Sequence, residues 1–267
     1  MARITPLWRS SDISIHRFDH PHAHEDHDPY EEVAERYSAS FVETGEFVVE
    51  IGEARWKLGP GDVLLNYPGM RFRAGHDGAA FADVCLTVAC DNAGADFDPA
   101  RTWARAAAPV LKANNRLRYL YWAMARGIKA DAPLLAETVA AELFREIPES
   151  SSDPRPLYKD RKLSWYAERV QIARETLERD FERDHRLQDL ARAAGMSTFH
   201  FARVFAALIG APPHRHLLET RLAAAASMLR QGRGVTETCF AAGFNNLSHF
   251  SRQFARRFGR NPSAYVS

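Results

Sequence analysis

Two hydrophobic periods divide this chain. Between Tyr37 and Val88, apolar and polar positions alternate in short runs: YSASFVE, EFVVEI, ARWKL, DVLLNY and ADVCLTV. Turn signals separate them at Thr44-Gly45, Gly52-Glu53, Gly59-Pro60-Gly61 and Pro68-Gly69. In EFVVEI, Phe47, Val49 and Ile51 fall on one face and Glu46, Val48 and Glu50 on the other, the signature of a half-buried strand. Strands of roughly four to seven residues at this spacing predict an antiparallel β-sandwich or small barrel. From Arg101 the period lengthens. Segments 101–127 and 132–147 read as helices, the second with Leu134, Leu135, Val139, Leu143 and Ile147 at helical spacing. Residues 148–156, rich in proline and serine, read as a linker, and everything after Leu163 is helical in pattern. The expected organisation is α+β and multidomain. It comprises an antiparallel β-barrel over 1–100, a helical pair over 101–147, a linker over 148–162 and an all-α domain over 163–267.

The last third contains a repeat. Leu187, Ala191 and Gly195 recur 48 residues later as Val235, Cys239 and Gly243; Phe201, Arg203, Phe205 and Gly210 recur 49 later as Phe250, Arg252, Phe254 and Gly259. Two copies of one supersecondary unit explain this most simply. Each copy reads helix, glycine turn, helix, with Gly195 and Gly243 where the chain leaves the first helix in a conformation that favours glycine. The second helices carry inner faces of Phe201, Phe205 and Leu208, then Phe250, Phe254 and Phe258. The outer faces are Thr198, Phe199, Ala202 and Arg203, then Leu247, Ser248, Ser251 and Arg252. A helix-turn-helix of this kind presents its second helix to the DNA major groove. Residues 213–230 read as one connecting helix, and Asn261-Pro262 as the cap of a final short helix.

Charge sharpens that reading. The net charge of the chain is +1, but residues 163–267 carry 15 arginines against 9 acids, while residues 1–162 are net negative. The basic excess concentrates in the repeat, which points to a polyanionic partner there. No window approaches the roughly 18 apolar residues of a membrane span, and Met1–Ser10 lacks the apolar region of a secretory signal, so a cytoplasmic protein without membrane contact is expected. Cys85, Cys90 and Cys239 have no CxxC spacing, which argues against a disulfide scaffold or a thiolate zinc site.

The segments LQDLARAAGMS, HFARVFAALIG, RLAAAASMLR and AAGFNNLSHFSRQFARRFGRNPSAY together resemble the AraC/XylS family of bacterial transcription regulators, over about 85 residues. The resemblance implies two recognition helices in adjacent major grooves of double-stranded DNA. By position, base contacts fall to Thr198, Phe199, Ala202 and Arg203, then Ser248, His249 and Arg252. The guanidinium fork of Arg203 or Arg252 suits guanine O6 and N7, and Phe199 suits a thymine methyl. Arg256, Arg257 and Arg260 are expected on phosphates. Thr238-Cys239 departs from the family pattern, which has an aliphatic residue followed by alanine.

The family resemblance extends to residues 37–90, which look like a cupin-like sensor, with the helical pair as a dimerisation element and a stripe of Leu117, Leu120, Tyr121 and Met124 available for a homodimer seam or for burial within the subunit. A small-molecule effector is expected inside the barrel, with Phe41, Trp56 and Tyr67 as lining. The competing reading is a divalent metal held by His22, His24, His27 or His76, with Glu25, Asp26, Asp28 and Glu31 nearby, in a metal sensor or a metal-dependent cupin enzyme. The cupin pattern of a histidine soon after the Pro-Gly turn is not met, since Arg71 and Phe72 stand there. A DNA-repair sensor with a methyl-accepting cysteine needs a Cys/His cluster that the three cysteines do not supply. The expected function is therefore a non-enzymatic, effector-responsive, DNA-binding regulator that meets RNA polymerase if it activates transcription.

Overall fold

The computed structural model describes residues 3–20, 31–75, 83–91, 103, 108–130, 132–145 and 157–265. The chain divides into two compact units, Met1–Lys159 and Asp160–Ser267. The boundary thus lies inside the expected linker 148–162, and the helical pair belongs to the first unit.

The first unit is built on two antiparallel sheets. β1 (Arg3–Arg9), β2 (Ile13–His20), β4 (Ser38–Thr44), β7 (Val63–Asn66), β9 (Asp83–Cys90) and β10 (Val110–Leu111) form one sheet, in the order β1-β2-β9-β4-β7-β10. β3 (Glu31–Val33), β5 (Phe47–Ile51), β6 (Ala54–Leu58) and β8 (Arg71–Gly75) form the other, ordered β3-β8-β5-β6. Val42, Leu64, Cys85 and Val110 of the first sheet bury themselves against Phe47, Val49 and Leu58 of the second, as period-two patterning requires. The Gly-Pro-Gly-Asp turn is pinned by Asp62, whose carboxylate accepts from Gly59 N, Lys112 Nζ and Ala113 N at 2.8–3.0 Å.

β1 and β2 lie ahead of the alternating runs, where His16, Arg17, Asp19 and His20 stand among the apolar positions Ile13, Ile15 and Phe18. One expectation about this unit needs correction. Segment 101–127 is not one helix: Val110–Leu111 pairs with Leu64 and Val63 of β7, and α1 (Asn115–Lys129) begins only after the Asn114 side chain caps it by accepting from Leu117 N at 2.8 Å. α2 (Pro133–Arg145) follows as the other half of the helical pair. Leu117, Leu120 and Met124 are fully buried within the chain, and Tyr121 donates to Glu43 Oε1 at 2.6 Å. The proposed seam stripe is therefore consumed inside the unit.

The second unit is all helix. α3 (Asp160–Arg179) leads into α4 (Leu187–Ala193) and α5 (Thr198–Ile209); α6 (Pro213–Arg230) connects them to α7 (Val235–Ala241) and α8 (Leu247–Phe258), and a 3₁₀ turn spans Pro262–Tyr265. Glu178 on α3 joins Arg174 at 2.8 Å to His216 on α6 at 3.1 Å. Arg221 on α6 donates to the carbonyls of Phe181 and Arg183 at 2.7 and 2.8 Å, which fixes the loop before α4. Among the described residues no helix is long and apolar enough to cross a membrane.

Candidate nucleic-acid interface

The two helix-turn-helix units are cut to one local plan. Ser197 caps α5 by accepting from His200 N at 3.4 Å, and Asn246 caps α8 by accepting from His249 N at 2.8 Å. α5 ends at Gly210 with φ +83°, and α8 at Gly259 with φ +69°. The turns before them run through Gly195 at φ +65° and Gly243 at φ +81°. The turns are not equivalent in their surroundings. A Cβ on Gly195 meets open space, whereas one on Gly243 would stand 2.7 Å from Glu182 O and 2.9 Å from Arg221 Nε. Glycine at 243 thus meets two demands, a left-handed backbone and close approach to the loop that Arg221 holds.

The inner faces are buried as their spacing predicts. Phe201, Phe205 and Leu208 are fully enclosed in the first copy, and Phe250 and Phe254 in the second, with Phe258 half-buried. An aromatic run continues from Phe244 through Phe250 and Phe254 to Phe258 with centroids 4.6–5.6 Å apart, closed by Tyr265 edge-on to Phe254. Each fully buried phenylalanine contributes about 1.5–3 kcal/mol of transfer free energy, so this face fixes each helix firmly and leaves the other face outward.

On that outward face stand Thr198, Phe199 and Arg203 of α5, then Ser248, His249 and Arg252 of α8, all exposed; Ala202 is half-buried between them. Phe199 is 77% exposed, a large apolar area with nothing of its own unit to cover it. Arg252 has no side-chain partner among the described residues, while Arg203 stands 3.3 Å from the His200 ring. The arginines expected on phosphates divide. Arg256 and Arg260 are exposed, but Arg257 donates to Glu219 Oε2 at 2.7 Å and lies over the Phe258 ring. Connecting the two copies, the eighteen residues of α6 span roughly 27 Å, near the roughly 34 Å between successive major-groove entries. At the departure from the family pattern, Thr238 and Cys239 are both fully buried, and the Thr238 hydroxyl has no hydrogen-bond partner.

In the first unit the three aromatics expected to line an effector pocket do not come together. Trp56 packs against the core between the sheets. Phe41 turns to the opposite face of β4, against Tyr121 of α1 at 6.0 Å, and Tyr67 is 47% exposed. The interior face carries polar groups that sequence reasoning missed. His16, Thr87 and Ser40 pair across β2, β9 and β4, and the next row holds Ser14, Ala89, Ser38 and Asn66. Ser40 and Thr87 hydroxyls lie 2.8 Å apart, and Asn66 donates to Ser38 Oγ at 3.2 Å while its own carbonyl oxygen is buried without a partner. Strand alternation from β4 signals Ser38 and Ser40; the joining of four strands does not appear in any local pattern.

The metal candidates His22, His24, His27 and His76 lie outside the described residues, as do Glu25, Asp26 and Asp28. Glu31 is on β3, paired with Arg71 at 2.8 Å. Among the described residues no three ligand side chains gather for a metal. Burial, reinforced by the carboxylate of Asp83 that its S–H contacts at 3.3 Å, raises the Cys85 thiol far above its usual range and favours the protonated thiol.

Residues 190–267 match a family model described as a helix-turn-helix domain. The HTH-type transcriptional regulator ExsA of Pseudomonas aeruginosa is 29% identical over 133 residues, which cover 49% of this chain and 47% of that one. The virulence regulon transcriptional activator VirF of Yersinia enterocolitica is 30% identical over 88 residues, 33% of this chain and 32% of that one. The matched stretch thus spans less than half the length of either curated relative. Among solved structures, a probable AraC family transcriptional regulator from Rhodopseudomonas palustris is 27% identical, with a TM-score of 0.35, over 37% of this chain and 94% of that one.

Proposed function

We propose, from the helix-turn-helix domain matched at residues 190–267, that this chain is a sequence-specific DNA-binding transcriptional regulator and not an enzyme. α5 and α8 enter successive major grooves on one side of the duplex, with Thr198, Phe199, Ala202 and Arg203 reading one segment and Ser248, His249 and Arg252 the other. Arg256 and Arg260 approach phosphates; Arg257 does so only by leaving Glu219. The observation that carries this reading is the pair of outward faces, capped alike and each bearing an arginine at the same turn of its helix. The charge distribution supports it, because the arginine excess coincides with the repeat.

The first unit is read as the sensor, a two-sheet cupin-like domain that takes a small-molecule effector against the polar rows around Ser38, Ser40, Asn66 and Thr87. The unpartnered Asn66 oxygen supports a ligand donating hydrogen bonds. Dimerisation through a surface other than the buried α1 stripe, contact with RNA polymerase at activated promoters and a cytoplasmic location complete the reading. Selection from a library of randomised duplexes with the full chain tests it. Two clusters of enriched bases about one helical turn apart are expected; binding that follows salt alone, with no enriched sequence, overturns it.

A further inference from the structure

His200 stands between two groups that demand one protonation state. Its Nε2 lies 2.9 Å from the hydroxyl of Tyr166, a buried residue of α3, and the two rings meet edge to face at 5.4 Å. Its Nδ1 lies 3.3 Å from Arg203 Nη2. A guanidinium has only donors, so Nδ1 must be bare and accept, and the ring proton then sits on Nε2 and is donated to the Tyr166 oxygen. One neutral tautomer satisfies both contacts; the imidazolium forfeits the contact to Arg203. The groups facing the ring agree with this. Tyr166 and Lys162 come from α3, with the Lys162 ammonium over the Tyr166 ring at 5.6 Å, and Arg203 comes from α5 itself. Burial first, then the Arg203 and Lys162 charges, hold the His200 pKa below its usual value.

The second copy lacks this arrangement although it repeats the histidine and the arginine. The +49 register takes His200 to His249 and Arg203 to Arg252. His249 instead leans towards Phe244 at 6.3 Å, with Gln253 Nε2 3.5 Å from its Nε2, and Arg252 is untethered among the described residues. The brace comes from Tyr166 of α3; α6, which holds the same place before α7, has Arg215 at the matching position.

We propose that His200, held by Tyr166, is a positioning residue that orients the Arg203 guanidinium towards one base of the operator, while Arg252 reads its base without a brace. This rests on α5 being a base-reading helix. Orientation fixed before binding concentrates discrimination at one base pair instead of spreading it over neighbours.

The test is selection from randomised duplexes with the full chain as wild type, Arg203→Ala, Arg252→Ala, Tyr166→Phe, His200→Ala and His200→Asn, each checked for folding by thermal unfolding. Arg203→Ala defines the position its side chain reads. Tyr166→Phe and His200→Ala are expected to lower selectivity at that same position roughly 3- to 10-fold, leaving the position defined by Arg252→Ala unchanged. His200→Asn, whose Oδ1 reaches where Nδ1 stood, is expected to recover most of the loss. Wild-type selectivity at the Arg203 position in Tyr166→Phe and His200→Ala, or an equal loss at every position, overturns the positioning role. If Arg203→Ala alters no position, the reading of α5 itself fails, and the proposal with it.

Discussion

In the first helix-turn-helix, Phe199, Ala202 and Leu190 stand where the second has Ser248, Ser251 and Thr238. Caps, terminal glycines and buried phenylalanines are repeated; the residues that meet solvent, and one that meets the core, are not. The two copies thus share a frame and differ on their outward faces. One helix is apolar on its outward face and held by Tyr166 and His200; the other is hydroxyl-rich, without such a tether among the described residues, and has an arginine-rich end. On the proposed DNA-binding reading, these faces suit an asymmetric site, with a hydrophobic contact in one half and mainly polar and phosphate contacts in the other.

The largest expected difference between the copies lies in their glycine turns. Gly243→Ala puts a Cβ 2.7 Å from a backbone carbonyl, and should destabilise the second unit by about 3 kcal/mol or more. Gly195→Ala meets open space and should cost only the left-handed backbone term, about 1–2 kcal/mol. Chemical denaturation of the two variants checks this; equal losses would mean that the close approach at Gly243 carries no energy.

Next comes Thr238, the polar intruder at the position of Leu190. Its buried hydroxyl has no partner, so Thr238→Val, which keeps the shape, should raise stability by about 1 kcal/mol. A lower unfolding midpoint would show that the hydroxyl is satisfied after all. Among the cations, Arg256→Ala should reduce the slope of log affinity against log salt by about 1. Arg257→Ala should reduce it less, because Arg257 is already paired with Glu219. The same slope for both would remove that distinction.

The smallest effect contrasts the histidines of the two units. His20 in β2 lies 3.1 Å from Asp83, and that hydrogen bond raises its pKa, opposite in direction to His200. The pair therefore stabilises the first unit below the unfolded histidine value of about 6.5, and the contribution fades as pH rises through the raised folded value. With the His20 side chain 40% exposed, a few tenths of a kcal/mol is expected. Asp83→Asn should flatten that part of the stability–pH curve, and an unaltered curve would assign the slope elsewhere.

The second unit was far more legible in sequence than the first. Helical spacing displays Phe201 and Phe205, or Phe250 and Phe254, within a few residues, and glycines mark the turns, so α5, α8 and the connecting α6 all emerge from local signals. β10 could not emerge this way. Val110–Leu111 lies beside an alanine-rich run and becomes a strand only by pairing with β7, some 46 residues earlier. The brace on Arg203 was hidden for the same reason, since Tyr166 and His200 are 34 residues apart. The outward residues of α5 and α8 were readable from periodicity; which of their arginines are already engaged, Arg203 by His200 and Arg257 by Glu219, required the packing.

The central claim is that α5 and α8 engage one duplex together at a spacing set by α6. Inserting about 5 base pairs, half a helical turn, between the two halves of the selected operator rotates one half-site to the far side of the duplex. Two linked binding events should then become one, and equilibrium titration of the full chain should show affinity falling by at least ~100-fold, to that of a single half-site. Unchanged affinity for the duplex with the insertion would contradict the account.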